Sequence, residues 1–240
     1  GHFDHTTPLG LINQGTITYD PSIENLNTGS TNYAYGGTTN YGDIVTGGDW
    51  DKRLTWYGDF TQQAGALIVN GYFCFNQTGD NYVFDILGGT LGGSGELRGG
   101  GDGLTIGPNA TLSPGNSTDT LTLNTDVTVQ DGAEYVFEIS DTDEDLVVVT
   151  GDLIFEGTIN VILRPCDLTG ERTLDLTLFE FGSMPSVPTV NVSAPAGWTW
   201  GPVSQIGTTL VLGDASVPDP ATLALLAAGA AGLMLKRRRR

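Results

Sequence analysis

The middle of the chain consists of short apolar runs separated by glycine, asparagine and aspartate. Ala66–Val69 and Tyr72–Phe75 are two such runs, and Asn70–Gly71 joins them. Tyr82–Leu87 and Leu104–Ile106 follow in the same style. Runs of this length between turn residues are typical of β-strands. Because the theme returns at intervals of roughly 15–25 residues, it predicts a β-solenoid, in which each coil buries its inward residues by stacking on its neighbours.

Alternation of apolar and polar residues becomes regular near residue 120. Apolar residues occupy odd positions, with polar residues between most of them: Leu121, Leu123, Val127, Val129, Tyr135, Phe137 and Ile139. A period of two predicts strands with one buried face. Later apolar segments predict more strands: Leu146–Val149, Leu153–Phe155, Ile159–Leu163, Leu174–Phe181, Val190–Val192, Trp198–Trp200 and Thr208–Leu212. The predicted fold class is therefore all-β with a solenoid-like body, and a β-sandwich is the alternative.

The C-terminal segment has a different, three-part pattern. A Pro-x-Pro element precedes an uncharged apolar run, Ala221–Leu235, and five cations close the chain at Lys236–Arg240. As a helix the run is roughly 22 Å long at 1.5 Å per residue, and long cationic side chains extend it to the interface. Apolar residues surround this helix on all sides, which suits lipid better than a buried C-terminal helix, the alternative. A terminal cationic block holds its end in the cytoplasm and places the body across the membrane.

This segment resembles a PEP-CTERM sorting signal, the C-terminal tag of exported proteins in many exopolysaccharide-making Gram-negative bacteria. The family hallmark is Val-Pro-Glu-Pro, and here it is Val217, Pro218, Asp219 and Pro220. The apolar run and the closing cations Lys236, Arg237, Arg238, Arg239 and Arg240 also match. The resemblance implies that an exosortase, an integral-membrane cysteine transpeptidase, recognises the tag and cleaves nearby.

Part of the body has a second resemblance. Leu112–Ser117, Leu121–Leu123 and Asp145–Gly151 resemble autotransporter-associated β-strand repeats, which implies a right-handed parallel β-helix. Pro195–Trp200 and Thr208–Leu210 look like the β cap that is common just before a PEP-CTERM tag. The two resemblances together imply a β-helical body, a β cap and one C-terminal hydrophobic helix.

The pattern divides the chain into three parts. Residues 1–60 form a polar β segment rich in Gly, Asn, Thr and Tyr, residues 61–215 the solenoid-like body and cap, and residues 216–240 the sorting tail. No basic-apolar-small signal peptide follows Gly1. Because a C-terminal sorting tag requires prior delivery to the translocon, we expect the true N-terminus to be cleaved or missing from this sequence.

Charge restricts the partners of the body. The chain has a formal net charge of −18, and residues 1–216 contain 27 acids against 5 cations, a net charge of −22. Such a surface repels nucleic acid and anionic lipid. We therefore expect no nucleic-acid partner.

Candidate chemistry is sparse. Histidine occurs only at His2 and His5, too near the start of the sequence to suggest a scaffolded catalytic or metal site. Asp141–Asp145 has the Asp-x-Asp-x-Asp spacing of a calcium loop, but Leu146 stands where that loop needs glycine. We interpret it as a solvated acidic turn, and we expect no metal site, no cofactor and no catalytic residue.

The carboxylates single out no catalytic pair, although glycosidase chemistry needs two of them facing each other across a cleft. We expect the acids to lie on turns, to have ordinary pKa values and to hydrate the surface. Aromatic residues that could stack on sugars occur near the start of the chain: Tyr33, Tyr35, Tyr41, Trp50, Trp56 and Tyr57. We expect ordinary packing for most of them.

Two cysteines, Cys74 and Cys166, both lie in apolar strand-like contexts. The sequence leaves their pairing open, because it does not give the distance between their Cα atoms. We expect two buried free thiols.

The functional prediction is an exported, non-enzymatic protein of the cell envelope or extracellular matrix. The predicted partners are an exosortase, the inner membrane through residues 221–235 before processing, and exopolysaccharide. The alternative is a carbohydrate-binding or polysaccharide-degrading β-helix protein. After processing we expect the body at the cell surface or in the matrix.

Overall fold

The structure is a computed structural model that describes residues 11–18, 32–35, 37–47, 54–75, 82–99, 102–115, 117–166 and 172–217. These residues form twenty-one β-strands and no helix. The strands are β1 (Leu11–Asn13), β2 (Thr16–Thr18), β3 (Asn32–Tyr35), β4 (Thr38–Asn40), β5 (Asp43–Thr46), β6 (Leu54–Tyr57), β7 (Phe60–Gln62), β8 (Ala66–Val69), β9 (Tyr72–Phe75), β10 (Phe84–Gly93), β11 (Glu96–Arg98), β12 (Leu104–Pro114), β13 (Thr120–Asn124), β14 (Val127–Gln130), β15 (Glu134–Ile139), β16 (Leu146–Glu156), β17 (Thr158–Pro165), β18 (Arg172–Ser183), β19 (Thr189–Ser193), β20 (Val203–Ile206) and β21 (Thr209–Val217).

The body is a β-solenoid of about five turns. Its strands stack in three columns, and nearly every pairing between successive coils is parallel. The stack continues across residue 60, where the sequence pattern placed the boundary between the first two parts of the chain, because β4 pairs with β7. Three in-register series represent the columns. The first is Thr38, Phe60, Phe84, Leu104, Val127 and Leu153; the second is Ile44, Leu67, Leu91, Leu112, Tyr135 and Val161; the third is Leu54, Phe73, Leu97, Leu123, Val149 and Phe181.

The coil length varies little along the first column. Along the first column, registered partners are separated by 22, 24, 20, 23 and 26 residues. The solenoid prediction is therefore confirmed, and the β-sandwich alternative is not adopted. The handedness and the autotransporter-like character of the repeats stay predictions.

Inward-facing side chains of all three columns form one continuous core. Every apolar residue at the odd positions between 121 and 139 that alternation placed inside is buried. Phenylalanines fill the middle coils: the ring centroids of Phe60 and Phe84 are 4.7 Å apart, and those of Phe75 and Phe84 are 4.1 Å apart. Stacked rings of this kind add about 0.5–1.5 kcal/mol per pair beyond their buried area.

Glycines at one corner allow the coils to approach closely. Gly65 and Gly89 have φ angles of +73° and +79°, in the left-handed region that a Cβ disfavours. A Cβ on Gly65 would overlap the carbonyl oxygen of Gly42, and a Cβ on Gly89 would overlap that of Gly65. The high glycine content is therefore partly a packing requirement of this corner.

An antiparallel cap closes the C-terminal end. β21 pairs with β18 on one side and with β20 on the other. Met184 and Trp198 are buried against the end of the core. The strand expected at Trp198–Trp200 is wrong: only Thr199 forms a bridge, to Ser216, because Gly197 has a φ of +91° and the chain turns there.

Candidate functional site

The sorting tag begins where the cap ends. The last strand, β21, finishes at Val217, which is in register with Arg172 of β18. One residue earlier, Ser216 donates its amide to Thr199 at 2.8 Å and accepts the amide of Thr199 at 3.1 Å. The base of the tag is therefore held by backbone hydrogen bonds on both sides. The other predicted tag residues lie outside the described residues: Pro218, Asp219, Pro220, the apolar run 221–235 and the cations Lys236–Arg240.

Several acids of the body perform a task that the sequence did not indicate. A corner aspartate accepts the backbone amide of the next coil through its Oδ1 atom. Four corners show this arrangement: Asp43 with Ala66 at 2.9 Å, Asp59 with Val83 at 3.0 Å, Asp126 with Asp152 at 2.8 Å, and Asp131 with Thr158 at 2.7 Å. Each of these carboxylates satisfies an amide donor that would otherwise need another acceptor or water. The acids thus join coil to coil as well as hydrating the surface.

The acidic segment between β15 and β16 is not simply a solvated turn. Leu146 does begin a strand, as expected, but Asp145 is fully buried. Its Oδ2 accepts the amide of Glu138 at 2.8 Å, and its Oδ1 accepts the amide of Asp119 in the preceding coil at 3.0 Å. Burial raises the pKa of Asp145 to about 7, although the two amide hydrogen bonds act in the opposite direction. The expectation of solvated acids with ordinary pKa values is therefore wrong for Asp145.

Tyr135 is a second buried polar group near Asp145. Its hydroxyl is buried and has no hydrogen-bond partner among the described residues. Burial raises the pKa of Tyr135 well above its ordinary value, and the negative charges of Asp145 and Glu144 add to the effect. Phe137 and Phe179 pack beside the Tyr135 ring, with centroids 5.6 Å and 4.9 Å away. The interior at this corner therefore disfavours negative charge.

This arrangement is not suited to acid–base catalysis on an external substrate. A general base needs an oxygen within reach of the substrate proton. Both carboxylate oxygens of Asp145 are engaged by backbone amides, and the residue has no solvent exposure. The carboxylate of Asp145 therefore accepts hydrogen bonds from the backbone of two adjacent coils.

The aromatic residues near the start of the chain have different environments. Trp56 is buried and Tyr41 is exposed, while Tyr57 is half-buried. The side chains of Tyr33 and Tyr35, and the whole of Trp50, lie outside the description. Of these early aromatic residues whose side chains are described, Tyr41 is the exposed one.

No disulfide joins Cys74 and Cys166. Cys74 is buried, as expected. Cys166 is only half-buried, because it lies at the corner after β17. Its sulfur is 3.1 Å from the hydroxyl oxygen of Ser117. The expectation of two buried thiols is therefore correct for Cys74 and wrong for Cys166.

Two further observations concern only the part of the chain that the structure describes. No group of three or more His, Cys, Asp or Glu side chains there has a geometry that could hold a metal ion. That part also has no helix long and apolar enough to span a membrane. The acidic segment Asp141–Asp145 therefore forms no such group, and the predicted membrane segment lies beyond the description.

Comparison with known proteins bears on the tail. No curated protein matches the chain. The family model of the PEP-CTERM protein-sorting motif matches residues 216–240, which begin one residue before β21 ends. This motif implies an exported protein that an exosortase sorts and that its C-terminal tag anchors transiently in the membrane.

Proposed function

We propose that the chain is a non-enzymatic structural protein of the bacterial cell envelope or extracellular matrix. Its tag delivers the body to an exosortase, which removes the cations Lys236–Arg240 and releases the solenoid to the cell surface or matrix. Until then, residues 221–235 anchor the chain in the inner membrane. The match of the sorting motif to residues 216–240 carries this proposal.

The construction of the body supports a structural role. The core is continuous through the solenoid, and corner carboxylates join successive coils. The carboxylate with the raised pKa of about 7, Asp145, faces backbone amides instead of a cleft. An acidic, well-hydrated rod of this kind suits a matrix of hydrated polysaccharide, and exopolysaccharide is the partner we propose for it.

The sorting step has a direct test. Pro218→Ala/Pro220→Ala should leave the uncleaved protein in the inner membrane of an exosortase-positive host, because the recognition element is lost. Pro108→Ala is the matched control, since it makes the same chemical change at an exposed corner of the body and should be processed normally. Intact-mass measurement of the membrane and released fractions gives the result. Normal release of the double variant, or retention of Lys236–Arg240 on released protein, would contradict the proposal.

The non-enzymatic role is tested separately. The released body should yield no reducing ends or unsaturated products from pectin, alginate, xylan or the producing strain's own exopolysaccharide. Sustained product formation that a single Asp or Glu substitution abolishes would favour the alternative, a polysaccharide-degrading β-helix. Product-free retention of one of these glycans on the immobilised body would instead identify a carbohydrate-binding role.

A further inference from the structure

Acidic residues become sparse in the last part of the body's sequence. Residues 1–183 contain 26 acids, whereas residues 184–217 contain only Asp214 and no Lys or Arg. At the density of the preceding part, a segment of this length would carry several acids. We call residues 184–217 the cap segment. It begins where β18 ends and continues through β19, β20 and β21.

The cap segment also presents large apolar side chains to solvent. Val187, Trp200 and Ile206 are 43%, 39% and 60% exposed. β20, which ends at Ile206, pairs only with β21 among the described strands. Since β21 in turn covers β18 of the last coil, β20 is the outermost strand at this end. Scattered exposed apolar residues are ordinary, but here they coincide with the charge-poor end.

Trp200 lies close to the place where the tag leaves the fold. Its neighbour Thr199 pairs with Ser216, and Gly201 on its other side donates its amide to Gly213 at 2.7 Å. Only residues 218–220 separate Val217 from the apolar run that begins at Ala221. Val217 and Ala221 are four residue steps apart, which span at most about 14 Å when fully extended. While the tag is in the bilayer, the end of the cap segment at Val217 therefore stays within about that distance of the membrane surface.

We propose that the cap segment docks on the lipid surface of the membrane that holds the tag, with Trp200 at the boundary between headgroups and acyl chains. The inference rests on membrane insertion of the tag, which is part of the proposed function. Tryptophan favours this boundary because its ring is apolar and its N–H is polar. The nearly uncharged cap loses little hydration there, whereas the acidic coils stay in water. The stacking direction of the coils then points away from the bilayer.

Quenching of tryptophan fluorescence by brominated lipid tests this docking. The full chain is reconstituted in phosphatidylcholine vesicles with and without acyl chains brominated near the headgroup, and flotation on a density gradient confirms insertion. No exosortase is present, so lipid is the one quencher. The wild type should lose about a quarter of its emission, because one of its four tryptophans lies at the interface. Trp200→Phe should abolish this loss.

The matched control moves the exposed tryptophan to another coil. Val83 is 43% exposed and precedes Phe84, which is three strand steps from Leu153 along the first column. At about 4.8 Å per step, that places it ~14 Å farther from the cap. Val83→Trp combined with Trp200→Phe should therefore show no quenching.

The outcomes separate the two proposals. Quenching in the wild type alone supports docking. A protein that floats but is quenched equally with and without Trp200, or that regains quenching with tryptophan at position 83, overturns the docking and leaves the tag intact. A protein that fails to float overturns tag insertion and the docking with it.

Discussion

The buried carboxylate of Asp145 gives the body an unusual dependence on pH. In the folded state its pKa is about 7, against a reference value of 3.8. Between these two values the folded protein retains a proton that the unfolded chain releases. The free energy of unfolding therefore falls as the pH rises from about 4 to about 7, since the unfolded state binds fewer protons there. At 1.36 kcal/mol per pKa unit, the full effect is about 4 kcal/mol.

Asp145→Asn isolates this effect, because asparagine does not titrate in this range. Its oxygen still accepts one amide, but its NH2 group faces the second, and leaving one buried donor unsatisfied costs about 1–3 kcal/mol. The variant should therefore be less stable than the wild type at pH 5. Between pH 5 and pH 8 the free energy of unfolding of the variant should rise by about 2–3 kcal/mol relative to that of the wild type, because only the wild type has to bury a charge.

Urea unfolding of residues 1–217, followed by circular dichroism at several pH values between 5 and 8, measures this difference. Asp143→Asn is the matched control, since Asp143 lies two residues away and is exposed; it should keep the wild-type pH profile. If the profiles of Asp145→Asn and the wild type ran parallel, the buried carboxylate would not titrate in this range, and the assignment of the pH dependence to Asp145 would be refuted.

Three further predictions concern the coils. Gly65→Ala should lower the free energy of unfolding by more than about 3 kcal/mol, because a Cβ would overlap the carbonyl of Gly42. Gly207 has a φ of +62° and open space around it, so Gly207→Ala should lower it by only about 1 kcal/mol of strain. Urea unfolding compares the two variants. Asp131→Ala should lower the free energy of unfolding by about 1–2 kcal/mol through loss of its bond to the next coil, while the exposed Asp102→Ala should change it little. EDTA should leave the melting temperature unchanged, since Asp145 in the acidic segment bonds to backbone amides; a large drop would show that this segment binds a structural cation.

Alternation was enough to predict the inward faces of the strands between residues 121 and 139. Leu121 and Leu123 are buried where the period of two placed them, because burial against a continuous core decides which face of a strand points inward. The boundaries of Ala66–Val69 and Tyr72–Phe75 were also predicted correctly. Local turn residues delimit both strands, so no long-range information was needed.

The corner aspartates could not be assigned in the same way. The partners of Asp126 and Asp131 lie 26 and 27 residues ahead, so the bond depends on the register between coils. Asp145 is different, because it has the same odd parity as the buried Val147 and Val149. The alternation therefore indicates that the side chain of Asp145 points inward, but its place in an acidic run suggested a solvated turn.

The repetition of similar coils has a consequence for the length of the rod. The C-terminal end of the described body is specialised by the cap and its tag, while the middle coils are built alike. Duplication of one coil of 20–26 residues would add about 4.8 Å to the rod and leave the cap unchanged. The length of the rod is therefore an inheritable property, which gain or loss of single coils would adjust in equal steps.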